Sequence, residues 1–146
     1  MANVALDLTG SAADSTVSDG NGNYQFSALA SGGSYSVTPS KAPLTPGSAG
    51  IDTVDVVATQ RHFLNINLLP PGCRLMAADV NSDGAINTVD VIAIQRFYLS
   101  LTTGTANAGQ YQFNPSGRSY PNLTTDQTGQ NYDGFVFGDV ASPFTN

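Results

Sequence analysis

The stretch Asp79-Val80-Asn81-Ser82-Asp83-Gly84-Ala85-Ile86-Asn87-Thr88-Val89-Asp90 decides how this chain is read. Oxygen-bearing side chains stand at its first, third, fifth, ninth and twelfth positions, with a glycine at the sixth. That is the spacing a hard, oxygen-seeking cation requires. Asp79, Asn81 and Asp83 lie on alternate residues, so a tightly coiled backbone turns all three inward. Gly84 supplies the sharp turn, the Ala85 carbonyl a backbone oxygen, and Asn87 reaches the ion directly or through water. Asp90 closes the sphere from the first turn of a following helix. The expected ligands are therefore Asp79, Asn81, Asp83, Ala85, Asn87 and Asp90, and the expected ion is Ca2+. A solvated Asn/Asp turn would explain any two of these residues, but hardly six matches in twelve positions.

The closing residue separates two kinds of loop. A standard EF-hand ends in Glu and has a helix on each side, whereas all 11 acidic residues of this chain are Asp. Ahead of the loop, Leu69-Pro70-Pro71-Gly72-Cys73 is not expected to be an entering helix, because paired prolines break one. The pattern Asp79-x-Asn81-x-Asp83-Gly84-x-Ile86-Asn87-x-x-Asp90, followed by Val91-Ile92-Ala93-Ile94-Gln95-Arg96-Phe97-Tyr98-Leu99, resembles a dockerin type I repeat. The resemblance implies a loop-plus-exit-helix unit, and such units come in pairs.

A second, damaged copy lies upstream. Gly50-Ile51-Asp52-Thr53-Val54-Asp55-Val56-Val57-Ala58-Thr59-Gln60-Arg61-His62-Phe63-Leu64 aligns with the segment from Ala85 to Leu99 at a constant offset, the one that separates Asp55 from Asp90. A constant offset marks an internal repeat. Apolar residues recur at helical spacing in both copies, as Val54, Val57, Ala58 and Val89, Ile92, Ala93, so each helix is expected to bury that face against the other. The early loop positions of the first copy fall on Leu44, Pro46 and Ser48, a poor cation site. Asp52 and Asp55 survive at the ninth and twelfth positions. Either solvent screens these two carboxylates, or oxygens from elsewhere complete a second Ca2+ site. The candidates are backbone oxygens of Pro46 to Gly50 and Asp139, which follows a strand that must end near the helical unit.

Composition narrows the function classes. The chain of 146 residues has a net charge of −6 and 11% charged residues, with a pI near 4.2. That length serves one domain, or two small ones sharing a core. Its basic residues, Lys41, Arg61, Arg74, Arg96 and Arg118, are scattered and make no stripe that could track phosphates, so no nucleic-acid partner is expected. No apolar run spans a membrane, and no cationic leader precedes an apolar segment, so neither a membrane span nor an intact signal peptide is expected. Calcium chemistry with a Thr/Ser/Gly/Asn-rich, low-charge chain points to a secreted, extracellular or cell-surface protein. Cys73, the single cysteine, excludes an internal disulfide; it is expected to be a small buried residue rather than an intermolecular bridge. His62 has no second ligand at metal spacing and reads as a helix residue. Asn122-Leu123-Thr124 fits a glycosylation acceptor.

The flanking chain reads as β structure. Val4 to Leu8, Ser15 to Ser18, Asn23 to Phe26, Ser34 to Thr38, Gln110 to Phe113, Arg118 to Tyr120 and Asn131 to Phe137 are strand-length runs, with a turn at Asp19-Gly20-Asn21-Gly22. Gly22 to Phe26 and Gly33 to Lys41 resemble the middle of carboxypeptidase regulatory-like and collagen-adhesin B-type β-sandwich repeats. Tyr35 to Pro39 matches their Tyr-x-Val-x-Pro strand, and Tyr111 to Pro115 the Tyr-x-Phe-x-Pro segment that follows it. The resemblance implies a mostly β fold with a small α insertion. Residues 1–41 and 109–146 would form a discontinuous Greek-key β-sandwich, and residues 42–108 a dockerin-like insertion. Repeats of this kind begin one strand earlier than Val4 to Leu8, so the sandwich is expected to lack its first strand, unless the sequence is a shortened piece of the domain or a natural sandwich with fewer strands. A neighbour's strand would fill such a gap, with Phe135 to Phe144 as the expected donor and a homo-oligomer or polymer as the result.

No catalytic residues are expected. His62 stands without a Ser/His/Asp set, no phosphate loop or zinc spacing occurs, and a chain without Glu or Trp offers little for a catalytic sugar cleft. Two function classes remain. The first is an extracellular structural or adhesion module, self-assembling by strand donation. The alternative is a dockerin module docking a cohesin-like partner. In the dockerin resemblance, Thr53 and Val54, with Thr88 and Val89, occupy the positions that face the partner.

Overall fold

The computed structural model describes residues 1–141. Among them the chain is a small β-rich fold, with six strands in two sheets and three helices: β1 (Ala5–Gly10), β2 (Asp14–Val17), β3 (Gly33–Ser40), α1 (Thr53–Phe63), α2 (Cys73–Ala78), α3 (Thr88–Tyr98), β4 (Tyr111–Asn114), β5 (Arg118–Leu123) and β6 (Asp133–Val136). The strands form a four-stranded antiparallel sheet in the order β2-β1-β3-β5 and a two-stranded sheet of β4 and β6. The chain divides into two compact units. One comprises Met1–Lys41 and Phe113–Gly134; the other comprises Ala42–Gln112 and the described chain from Phe135 onward. Residues 109–112 and 135–141 therefore belong with the helices, not with the β portion as expected. The reason is burial: Phe135, Val136 and Val140 are core residues of the helical unit.

The β unit follows from period-two alternation. Leu6 and Leu8 on β1 and Tyr35, Val37 and Pro39 on β3 are buried on one face, while Asp7, Thr9 and Thr38 point to solvent. The register pairs Leu6 with Pro39 and Leu8 with Val37, so the apolar residues meet across the ladder. Asn23 to Phe26, expected as a strand, joins no ladder. Its rings serve another purpose: Tyr24 packs edge-on to Phe26 at 6.3 Å and tilted on Tyr132 at 6.2 Å. The hydroxyls then find main-chain acceptors, Tyr24 on Gln130 (2.6 Å) and Tyr132 on Val37 (3.0 Å).

Burial pushes the Tyr24, Tyr120 and Tyr132 hydroxyls above the usual phenol range. The folded form thus holds these groups neutral, whereas the unfolded chain ionises them near pH 10 (about the model-peptide value). Their contribution is intact below that pH and is lost as pH rises through the higher folded range. Alkaline titration is expected to show delayed tyrosinate absorbance that appears together with loss of β circular dichroism. Free ionisation near pH ~10 with the fold intact would contradict it.

Among the described residues, two apolar clusters form the core of the helical unit. Ile51, Val80, Ala93, Ile94, Phe97, Ala108 and Val136 form the first; Ala77, Ala78, Phe135 and Val140 form the second. The α1 and α3 helices start alike. Asp52 and Asn87 are extended N-caps, accepting the N–H groups of Val54 (2.6 Å) and Val89 (2.8 Å), and each cap is completed by the aspartate three residues on. The paired helices bury only the small residues of the expected stripe, Ala93 fully and Ala58 in part, and leave its larger ones exposed. Val54, Val57, Val89 and Ile92 are 56, 46, 54 and 53% exposed, and the buried residues are Asp55 and Thr59 on α1 and Asp90, Ala93, Ile94 and Phe97 on α3. Thr59, the counterpart of Ile94, is fully buried, and its Oγ1 has no hydrogen-bond partner among the described residues. Thr59→Val keeps the shape and removes the stranded hydroxyl. It is expected to raise stability by about 1 kcal/mol in chemical denaturation, and a loss of stability would contradict that burial.

Two smaller expectations are corrected. A short helix, α2, does enter the loop; the prolines lie ahead of its N-cap, Gly72, and so do not interrupt it. Cys73, at the front of that helix, is exposed rather than buried. His62 is a helix residue whose Nδ1 accepts the Leu69 N–H at 3.0 Å. Among the described residues no helix is long and apolar enough to cross a membrane.

Candidate metal centre

The segment Asp79 to Asp90 runs from the end of α2 into α3 and is coiled by its own side chains. Asp79 Oδ1 accepts the Asp83 N–H (3.1 Å) and its Oδ2 the Gly84 N–H (2.9 Å). Asn81 Oδ1 also accepts the Asp83 N–H (3.1 Å), and Asp83 Oδ1 accepts that of Ala85 (2.9 Å). Gly84 sits at φ +86°, a left-handed conformation costly for other residues. Asp90 reaches back from α3: its Oδ2 accepts the Asn87 N–H (2.9 Å) and its Oδ1 the Asn81 N–H (3.3 Å). The six expected ligand residues thus form one continuous hydrogen-bonded coil. Ile86, between them, packs toward the second core.

The donor chemistry fits a hard cation. Asp79, Asp83 and Asp90 are carboxylates, Asn81 and Asn87 bring amide oxygens, and the Ala85 carbonyl is in reach of the Asn87 amide nitrogen at 3.3 Å. Asp90 is 0% exposed, and a carboxylate so placed calls for compensating positive charge as well as hydrogen bonds. The aspartates do not suffice by themselves. Among the described residues no group of three or more His, Cys, Asp or Glu side chains gathers closely enough to hold an ion, so an ion held by this loop would need amide and main-chain oxygens as well.

The second candidate site is arranged differently. Asp55 is buried, and its Oδ2 accepts the Asp52 N–H at 2.9 Å, as Asp90 does from Asn87. Its Oδ1 accepts the N–H groups of Val140 and Ala141, both at 2.9 Å. Asp52 Oδ1 is engaged in capping α1. The neighbourhood of Asp139 is thereby brought to Asp55, as expected from its place after a strand, and Asp139 itself is buried. The Pro46 to Gly50 segment is tied to the end of α3, where the Gly47 N–H donates to Phe97 O at 2.8 Å, and the Thr45 and Ser48 hydroxyls bond to each other.

Helical spacing alone turned the stripe inward, whereas the dockerin resemblance places Val54 and Val89 toward a partner. The repeat itself carried the signal: Val54 and Val89, Val57 and Ile92, Leu64 and Leu99 are counterparts, and all six are exposed in the folded unit. Asn122, the candidate acceptor, is exposed at the end of β5. No family model, curated protein or solved structure matches the chain.

Proposed function

We propose that this chain is an extracellular, non-catalytic docking module in which a calcium-bound loop, Asp79 to Asp90, braces a helix pair that binds a protein partner. The observation that carries this is the duplicated apolar stripe. Val54, Val57 and Leu64 follow α1, Val89, Ile92 and Leu99 follow α3, and each residue is between 46 and 56% exposed. Scattered exposed apolar residues are ordinary, but the same residues left exposed at repeat-related positions mark a surface kept for contact. This arrangement supports the dockerin pair, and the cohesin-like partner is what that resemblance implies. The β unit, as a sandwich of the adhesin type, would serve as its scaffold.

The strand-donation reading loses its donor. Phe135, Val136 and Val140 are core residues of their own unit, so this segment is not available to complete a neighbour; Ser142 to Phe144 lie outside the described residues. A self-assembled fibre would need another strand. The β unit does hold a cleft of about 950 Å³ lined by Leu8, Tyr24, Phe26, Tyr35 and Tyr120, where a strand from elsewhere could enter. Calorimetric titration against a panel of cohesin domains, in calcium and in chelator, tests the docking reading. Binding that requires calcium is expected; a panel-wide lack of binding by the calcium-loaded chain would reject cohesin as the partner class.

A further inference from the structure

We infer that Gly138 to Ala141 is the entering half of the first repeat, delivered from the far end of the chain. In the second repeat the buried Asp90 is held by one N–H from just before its helix, Asn87, and one from the first half of the loop, Asn81. In the first repeat Asp52 supplies the counterpart of Asn87. The counterpart of Asn81 is Pro46, which has no N–H to give. Val140 and Ala141 supply the missing donation to Asp55 Oδ1 from 85 and 86 residues away. The local sequence agrees, since Gly138-Asp139-Val140 parallels Ala78-Asp79-Val80.

Packing gives an independent match. Val80 and Val140 are both 0% exposed. Val80 lies in the core that contains Ile51 of the first repeat, and Val140 in the core against which Ile86 of the second repeat packs. Ile51 and Ile86 are counterparts, so each valine is buried with the isoleucine of the opposite repeat. Gly138 allows the close approach. At φ +94° it donates its N–H to Ala77 O (2.8 Å), and a Cβ there would stand 3.3 Å from Ile51 Cδ1. The first repeat is thus whole in space though split in sequence. Gly138 to Ala141 acts as a strap that fixes α1. If the docking reading holds, the strap governs the Val54 and Val57 half of the contact face; the strap itself does not depend on that reading.

The test is a cycle of Asp55→Ala, Ala141→Pro and the two combined, in the full chain and in calcium, read by amide hydrogen exchange. Asp55→Ala removes the acceptor, and Ala141→Pro removes one donor and leaves the rest of the chain in place. Each single change is expected to speed exchange of α1 amides by about 10-fold or more, the scale of a lost bond to a charged group, with α3 much less affected. The double variant is expected to be no faster than the faster single, because both break one connection. Multiplying effects, or α1 exchange unchanged in either single variant, would overturn the inference. Should Asp55→Ala fail to fold, Asp55→Asn enters the same cycle with the same outcomes. Partner binding is read separately, so failure of docking would not be mistaken for failure of the strap.

Discussion

Removing calcium is expected to lower the melting temperature of the helical unit by about 10 °C or more. At free calcium about 1,000-fold above the dissociation constant, binding to the folded state alone adds about 4 kcal/mol, and for a unit of this size each kcal/mol moves the midpoint by several degrees (roughly 4–8 °C). The physical origin is charge. Asp79, Asp83 and Asp90 bring three negative charges into one coil, and Asp90 does so at 0% exposure. Without the ion these carboxylates repel, and the repulsion is opposed by main-chain N–H groups and by the Asn81 side-chain amide, which donates to Asp83 Oδ2 at 2.8 Å. Asp83→Ala is the sharpest probe, because Asp83 is exposed and its loss makes no cavity. In calcium the variant is expected to melt far below the parent. In chelator the two are expected to converge, since the ion no longer distinguishes them. Equal melting of the parent with and without chelator would mean that the loop carries no calcium.

The second large effect is expected on partner binding. Val57→Asp and Ile92→Asp place a carboxylate in the middle of each apolar stripe, where a docked partner would have to desolvate it. Together they are expected to weaken binding by about 100-fold or more, consistent with the cost of a buried, unpaired charge at an interface centre. Both residues are about half exposed in the free chain, so stability is expected to change by no more than about 0.5 kcal/mol. Calorimetry for binding and denaturant melts for stability separate the two effects. Undiminished affinity in the double variant would move the docking surface off α1 and α3.

Much of the local structure was legible because it is written in short spacings. The spacing of Asp79, Asn81, Asp83 and Gly84 shows in the hydrogen-bonded coil they form, and the two caps, Asp52 with Asp55 and Asn87 with Asp90, repeat between the copies. The strands β1 and β3 show in their alternation. What failed was direction and distance. Helical periodicity showed an apolar stripe at Val54 and Val57 but could not say whether it faced the core, since Asp55, Thr59 and Phe97 lie on other faces of the same helices. A buried Asp and Thr look like surface residues until their surroundings are known. The chain after β6 reads as a β tail in sequence, yet its membership in the helical unit rests on hydrogen bonds such as Val140 to Asp55, across 85 residues. Tyr24 to Phe26 alternates like a strand and is used as an aromatic cover instead, a tertiary outcome that pairing propensity does not contain.

The most direct measurement is a calcium titration of the chelator-stripped chain followed by backbone amide NMR. The expected result is one saturable set of shifts centred on Asp79 to Asp90, including the Gly84 amide that donates to Asp79, with a dissociation constant between about 10⁻⁷ and 10⁻³ M. Amides of this loop that stay unmoved through millimolar calcium, while the chain remains folded, would contradict the calcium centre and the docking module built on it.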